Sequence, residues 1–144
     1  MDCDPGIDDG IALAYVAAHQ DELELLAVTT FAGNNTIDKV TKNALELVDF
    51  YGLNVPVARG QERPLVKEVL HAEEFHGETG LGHCVLPEAK SEAVSDNAVL
   101  FIRELLNRLP EGEQVVMIET APMTNLALLL KVFPEIKNKI GKIV

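Results

Sequence analysis

Apolar residues recur along the chain at two spacings, and the elements they predict alternate. Ile11 to Ala18 is apolar and rich in Ala and Leu, which predicts a buried helix over about 9 to 19. Leu23 to Thr30 reads as a strand, and the unbroken run Leu25-Leu26-Ala27-Val28 suits burial on both faces. Thr36 to Tyr51 has the helical period, with Val40, Ala44, Leu47, Val48 and Tyr51 as its apolar stripe and Gly52 as its stop. Val55 to Ala58 is a short strand that Pro56 confines to an edge or a strand start. Residues 61–95 carry no clear period. Ser95 or Asp96 is placed to cap a helix reaching about Leu109, with Leu100, Phe101, Leu105 and Leu109 inward. After the turn Pro110-Glu111-Gly112-Glu113, residues Gln114 to Ile118 read as a buried strand and Leu126 to Val132 as a helix. Strands alternating with helices predict an α/β fold, a mostly parallel sheet flanked by helices, in one domain over 1–144.

Composition narrows the class. Hydrophobic residues make up 47% of the 144 and charged ones 24%, as in a soluble globular domain. A formal net charge of −11 argues against nucleic acid and against anionic membrane surfaces as partners. No apolar run approaches the ~18 residues of a membrane span, and Met1 leads into acids, not a signal sequence. Cys3 and Cys84 fit neither a metal spacing nor a disulfide framework, so a reducing cytoplasm is expected. Both ends read as cut: only Met1 precedes a turn that should cap a buried strand, and Lys142-Ile143-Val144 reads as a strand beginning.

The chemistry concentrates in Asp2-Cys3-Asp4-Pro5-Gly6-Ile7-Asp8-Asp9. Pro5-Gly6 marks a turn, so Asp2 and Asp4 enter it and Asp8 and Asp9 leave it at a helix start, where negative charge is tolerated. Four like charges this close repel unless a cation lies among them, and a hard divalent ion takes carboxylate oxygens. An EF-hand loop is excluded, because the twelfth residue counted from Asp2 is Leu13 instead of Glu. Asp2-Cys3-Asp4 also suits a magnesium-dependent phosphohydrolase of the haloacid-dehalogenase type, although Gly6 stands where that motif expects Thr or Val. Three later loops follow predicted strands or interrupt the irregular region. These are Phe31-Ala32-Gly33-Asn34-Asn35, the glycine-rich His76-Gly77-Glu78-Thr79-Gly80-Leu81-Gly82, and Thr120-Ala121-Pro122-Met123-Thr124-Asn125. Ligands in open parallel sheets collect at the carboxyl ends of strands. On residues alone, Asn35 caps the next helix, His76 is a solvated loop histidine, and Thr124 and Asn125 are helix-start residues.

Taken in order, Asp-x-Asp-Pro-Gly-x-Asp-Asp, Gly33-Asn34, the His76-Gly77-x-x-Gly80-Leu81 stretch and Thr120-x-Pro-x-Thr-Asn resemble the inosine–uridine-preferring nucleoside hydrolases, over their N-terminal half. The resemblance implies calcium-dependent hydrolysis of the N-glycosidic bond of a ribonucleoside by a homo-oligomer. By matching position it makes Asp4 a calcium ligand and the general base, Asp9 a calcium ligand, and Thr120 a ligand through its main-chain carbonyl. Asp8 and Asn34 would hold the sugar, His76 would lie near the base, and Asp2 would support from behind. Ala121 replaces the family's glycine, which matters only if that position needs positive φ. If the molecule ends at Val144 the implied site is incomplete, which leaves an inactive metal-binding fragment as the other reading.

Overall fold

A computed structural model describes all residues 1–144. The elements in chain order are β1 (Asp2–Cys3), α1 (Ile7–Ala18), β2 (Val28–Thr30), α2 (Ile37–Phe50), β3 (Val57–Ala58), α3 (Glu73–His76), α4 (Ala98–Asn107), β4 (Val115–Met117) and α5 (Thr124–Val132), then a 3-10 turn (Pro134–Lys139) and β5 (Ile140–Ile143). Every ladder is parallel. β1, β2 and β3 form one sheet in that order, and β4 pairs with β5 in a second. An isolated bridge from Asp2 to Glu119 joins the two, and another from Ala58 to Ser95 extends the first sheet beyond β3. The α/β architecture expected from the alternation is therefore present, as parallel sheets flanked by helices.

The helix readings hold to within a few residues, but several strand and burial readings do not. Only Val28–Thr30 of the expected 23–30 strand is laddered. Leu25 and Leu26 are half-buried and make no backbone hydrogen bond of their own. In α4 Val99, Ile102 and Leu106 are buried, the expected Phe101 and Leu109 pack half-buried against the same cluster, Leu105 is half-buried and Leu100 is exposed. Asn97, not Ser95 or Asp96, caps the helix by accepting the Leu100 N–H. β4 is not buried throughout, since Val116 is 55% exposed.

Two apolar clusters support the sheets. One packs α1 and α2 on β1–β3 through Leu13, Val28, Ala44, Leu47, Val48 and Val57. The other joins α4, α5 and the 3-10 turn through Ile102, Leu106, Leu126, Leu129 and Ile136.

Candidate active site

The acidic turn begins where β1 ends. Asp2 and Cys3 lie inside the ladder, paired with Thr29 and Thr30 of β2, so the chain leaves the sheet at Asp4. Asp4 and Asp9 are almost fully enclosed, with 5% and 2% of their surface exposed. Asp9 folds back from the first turn of α1, and its Oδ2 accepts the Asp4 N–H at 3.0 Å. This fixes both carboxyl groups relative to each other through a single backbone bond.

The loop after β2 closes the next side. The Asn34 N–H donates to Asp4 Oδ2 at 2.6 Å, and the Asn34 side-chain amide donates to the Asp4 carbonyl at 3.0 Å. Gly33 is required here, because a Cβ at that position would fall inside the Asp4 carboxylate. The loop after β4 supplies a third side. The Thr120 N–H donates to the Asp2 carbonyl at 3.0 Å, and the Thr120 hydroxyl lies against the same carbonyl and the Asp9 carboxylate. No non-glycine residue has positive φ, so Ala121 sits in ordinary backbone geometry and the loop does not need a glycine there.

Burial governs the charges. Asp4 is pushed up to about 7, chiefly by burial and further by the Asp9 charge, against the pull of its Asn34 backbone bond. Asp9 is raised as well, first by burial, with the Thr120 hydroxyl opposing. Both carboxylates are therefore strained as anions with no cation beside them. Two enclosed carboxylates of this kind suit a hard divalent ion. No three His, Cys, Asp or Glu side chains are grouped closely enough to hold a metal by themselves. A cation at Asp4 and Asp9 thus needs main-chain or further oxygens to complete its shell.

Asp8 and His76 stand at the outer edge. Asp8 is exposed, and its Oδ1 lies 4.0 Å from His76 Nδ1. His76 Nδ1 accepts the Ile7 N–H at 3.3 Å, and its ring packs so closely on the turn that a Cβ on Gly6 would come within 2.5 Å of Nδ1. His76 is accordingly docked on the acidic turn and is not free in solvent. His71 is exposed and has Nδ1 3.2 Å from the Gly33 carbonyl.

Asp2 has a different environment. It is completely buried, and its Oδ1 accepts from the Thr29 hydroxyl at 2.5 Å and from the Asn125 amide at 2.9 Å, while Oδ2 has no partner. Burial raises its pKa. Glu119 faces it and is pushed up as well, by burial and then by the Asp2 charge. A carboxyl enclosed in this way cannot reach a phosphorus atom, which removes Asp2 as the nucleophile of a dehalogenase-type phosphohydrolase.

The sequence reading passed over three residues here. Asn125, read as a helix-start residue, is wholly buried and donates to Asp2 Oδ1 and to the Thr30 carbonyl, both at 2.9 Å, while accepting from the Gln61 N–H. Asn35 does not cap the next helix as expected, since Thr36 is the N-cap of α2 and receives no side-chain cap bond; Asn35 Oδ1 accepts the Thr36 N–H and its amide donates to the Glu78 carbonyl. Asn43 is buried on α2 and bonds both the Pro5 and Thr79 carbonyls. A polar residue inside an apolar helical stripe was the available signal for Asn43. Nothing in the sequence marked Glu119.

The sequence profile of the inosine-uridine preferring nucleoside hydrolases matches residues 1–144. The chain belongs to this family. It is 43% identical over 145 residues to the pyrimidine-specific ribonucleoside hydrolase of Shewanella sp. (strain MR-7), covering 45% of that protein. It is 39% identical over 146 residues to the inosine-uridine preferring nucleoside hydrolase of Leishmania major, covering 46% of it. Its fold matches the purine-preferring ribonucleoside hydrolase from Gardnerella vaginalis with a TM-score of 0.89 at 34% identity, over 99% of this chain and 46% of that one. The chain thus spans about half the length of these nucleoside hydrolases. No helix is long and apolar enough to cross a membrane.

Proposed function

We propose that the protein hydrolyses the N-glycosidic bond of ribonucleosides, giving ribose and free base, with calcium held by Asp4, Asp9 and the Thr120 carbonyl. The observation that carries this reading is the joining of Asp4 to Asp9 and Asn34, and of Asp9 to the Thr120 loop, at the ends of three parallel strands. When bound there, the cation neutralises the two carboxylates, orients a water and lowers its pKa.

The chain's own residues supply the rest. Asp4 is the general base. As water attacks the anomeric carbon, Asp4 takes its proton, and the electron pair of the broken C–N bond leaves with the base. A developing oxocarbenium charge is stabilised by the surrounding carboxylates. Asp4 is held for this task by its own N–H, which donates to Asp9 Oδ2, and by the Asn34 N–H, which donates to Asp4 Oδ2. Asp8 and Asn34 stand at the open edge and would bind sugar hydroxyls, while His76 closes the side where a base would lie. The relatives' own names span purine and pyrimidine preference, so both bases belong in the test. A cytoplasmic, homo-oligomeric salvage enzyme is the setting we propose for it.

The test is an assay of the full-length protein with inosine, uridine and a phosphate monoester. Base release that needs calcium and falls by about 10²–10⁴ in Asp4→Asn supports the reading. Phosphate release without base release overturns it.

A further inference from the structure

We infer that Asn43 is a positioning residue, a buried amide that ties the His76 loop to the acidic turn and sets the separation of the two sides of the site. The inference deepens the hydrolase reading and rests on it only for its activity measurement.

Asn43 lies on α2 with 4% of its surface exposed, among the apolar residues Val40, Ala44 and Leu47. Its Nδ2 carries two protons, and each has a separate main-chain acceptor. One is the Pro5 carbonyl at 3.0 Å, between Asp4 and the Asp8-Asp9 pair. The other is the Thr79 carbonyl at 2.8 Å, three residues after His76. Two turns that are far apart in sequence are thus held by one planar group, which fixes their spacing to the span of an amide. An unpaired carbonyl in this buried place is costly, so neither turn leaves the amide freely.

The loop is shaped to permit the contact. Gly80 is buried with φ +92°, and a Cβ there would sit 2.8 Å from Asn43 Nδ2 and 3.5 Å from the Pro5 carbonyl. The chain therefore passes over the amide at a distance that only glycine allows. Two other side chains hold the same loop at one point, since the Lys39 ammonium on α2 donates to the Glu78 carbonyl at 2.6 Å and Asn35, just before α2, to the same oxygen at 3.1 Å. Asn35 and Lys39 grip the loop alone, whereas Asn43 reaches both loop and turn. What this spacing delivers is the docked His76, whose Nδ1 accepts the Ile7 N–H.

The test follows amide hydrogen exchange in the chain of residues 1–144, read by NMR at Ile7 and Gly82, whose N–H groups report the His76 contact and the closed loop. Asn43→Asp keeps the size and turns the donor into an acceptor facing two carbonyls. Gly80→Ala attacks the same junction from the loop side and stands in if Asn43→Asp does not fold. Leu129→Ala, in the other apolar cluster, controls for general destabilisation. Expected is a rise of about tenfold or more in exchange at Ile7 and Gly82 in both junction variants, with the Thr29 and Phe31 amides of the β1–β2 ladder unchanged and no selective rise in Leu129→Ala. Exchange at Ile7 and Gly82 that stays at the wild-type rate, or rises only together with Thr29 and Phe31, overturns the inference. In the full-length protein Asn43→Asp should raise KM for inosine or uridine by about tenfold and change kcat far less, because Asp4 keeps its own bonds. Loss of kcat with unchanged KM contradicts the inference. Absence of base release in the wild type overturns the hydrolase reading and leaves the exchange result to decide the role of Asn43.

Discussion

The two sheets meet at the site with unequal completeness. On the side of β1, β2 and β3 the carboxylates are enclosed and bonded to backbone, and α1, α2 and the His76 loop are stitched together by buried amides. On the side of β4 and β5 the contribution is the Thr120 N–H and hydroxyl, both on the Asp2 carbonyl, and the buried Asn125 that opens α5. The apolar clusters of the two sides stay separate, and an apolar cleft of about 420 Å³ opens between Met1, Leu25 and Leu26 on one wall and Val115, Val116 and Met117 on the other. What joins the halves is therefore polar. Asp2 pairs with Glu119, Thr120 bonds the Asp2 carbonyl, and Asn125 spans Asp2, Thr30 and Gln61. A site assembled across such a seam depends on a few hydrogen bonds more than on core volume.

The largest effect should come from cutting the seam at its centre. Asn125→Ala leaves Asp2 Oδ1 short of a donor and deprives the Thr30 carbonyl and the Gln61 N–H of their partner, all in a dry place. At about 1–3 kcal/mol for each buried group left unpaired, a loss of roughly 3 kcal/mol or more is expected in urea unfolding. A loss below about 1 kcal/mol would mean that the halves are held by something other than this amide.

Core truncations test whether the two clusters are independent. Leu13 and Leu129 are each fully buried, one in each cluster, and either change to Ala should cost about 2–5 kcal/mol. Because the clusters share no residue, the double variant should lose the sum within about 0.5 kcal/mol. Marked non-additivity would show that the seam transmits packing as well as hydrogen bonding.

What the sequence made legible divides along the same line. The acidic turn was readable because local rules act there, a Pro-Gly turn leading into a helix start, whereas Gly33-Asn34 and Thr120, on loops at strand ends, stood out only through the family resemblance. The helices were readable from their period. The seam was not, because Glu119 and Asn125 take their roles from partners more than ninety residues away, Asp2 and Thr30. Leu100 was read as buried and is exposed, because Ala98 and Val99 fill the inward positions of the first turn of α4.

The pH dependence compares the halves through charge. Asp4, Asp9, Asp2 and Glu119 all have folded pKa values above their ordinary ones, with burial the first cause in each. For a raised carboxyl the native state binds more protons than the unfolded one between the two pKa values, so stability falls as pH rises through that window. With Asp4 moving from 3.8 to about 7 and Glu119 from 4.5 to about 8, the metal-free chain should melt progressively lower from about pH 4 to pH 8. Asp4→Asn and Glu119→Gln should each flatten part of that slope in thermal melts with chelator present. A melting temperature that rises over the same range would mean that these carboxyls are paired with positive charge in solution.

The smallest effect belongs to the exposed wall of the cleft. Val116 lies on β4 between two laddered neighbours, yet more than half of its side chain faces solvent. Val116→Thr keeps the β-branched shape that suits a strand and changes one methyl to a hydroxyl that water can satisfy. Little apolar burial is lost, so the change should fall within about 0.5 kcal/mol, and the melting temperature should barely move. At Met117, buried in the neighbouring position, the same exchange would bury an unpartnered hydroxyl and cost several times more. A drop above about 1 kcal/mol at Val116 would mean that the wall is covered in solution, and the seam would then have an apolar component alongside its hydrogen bonds.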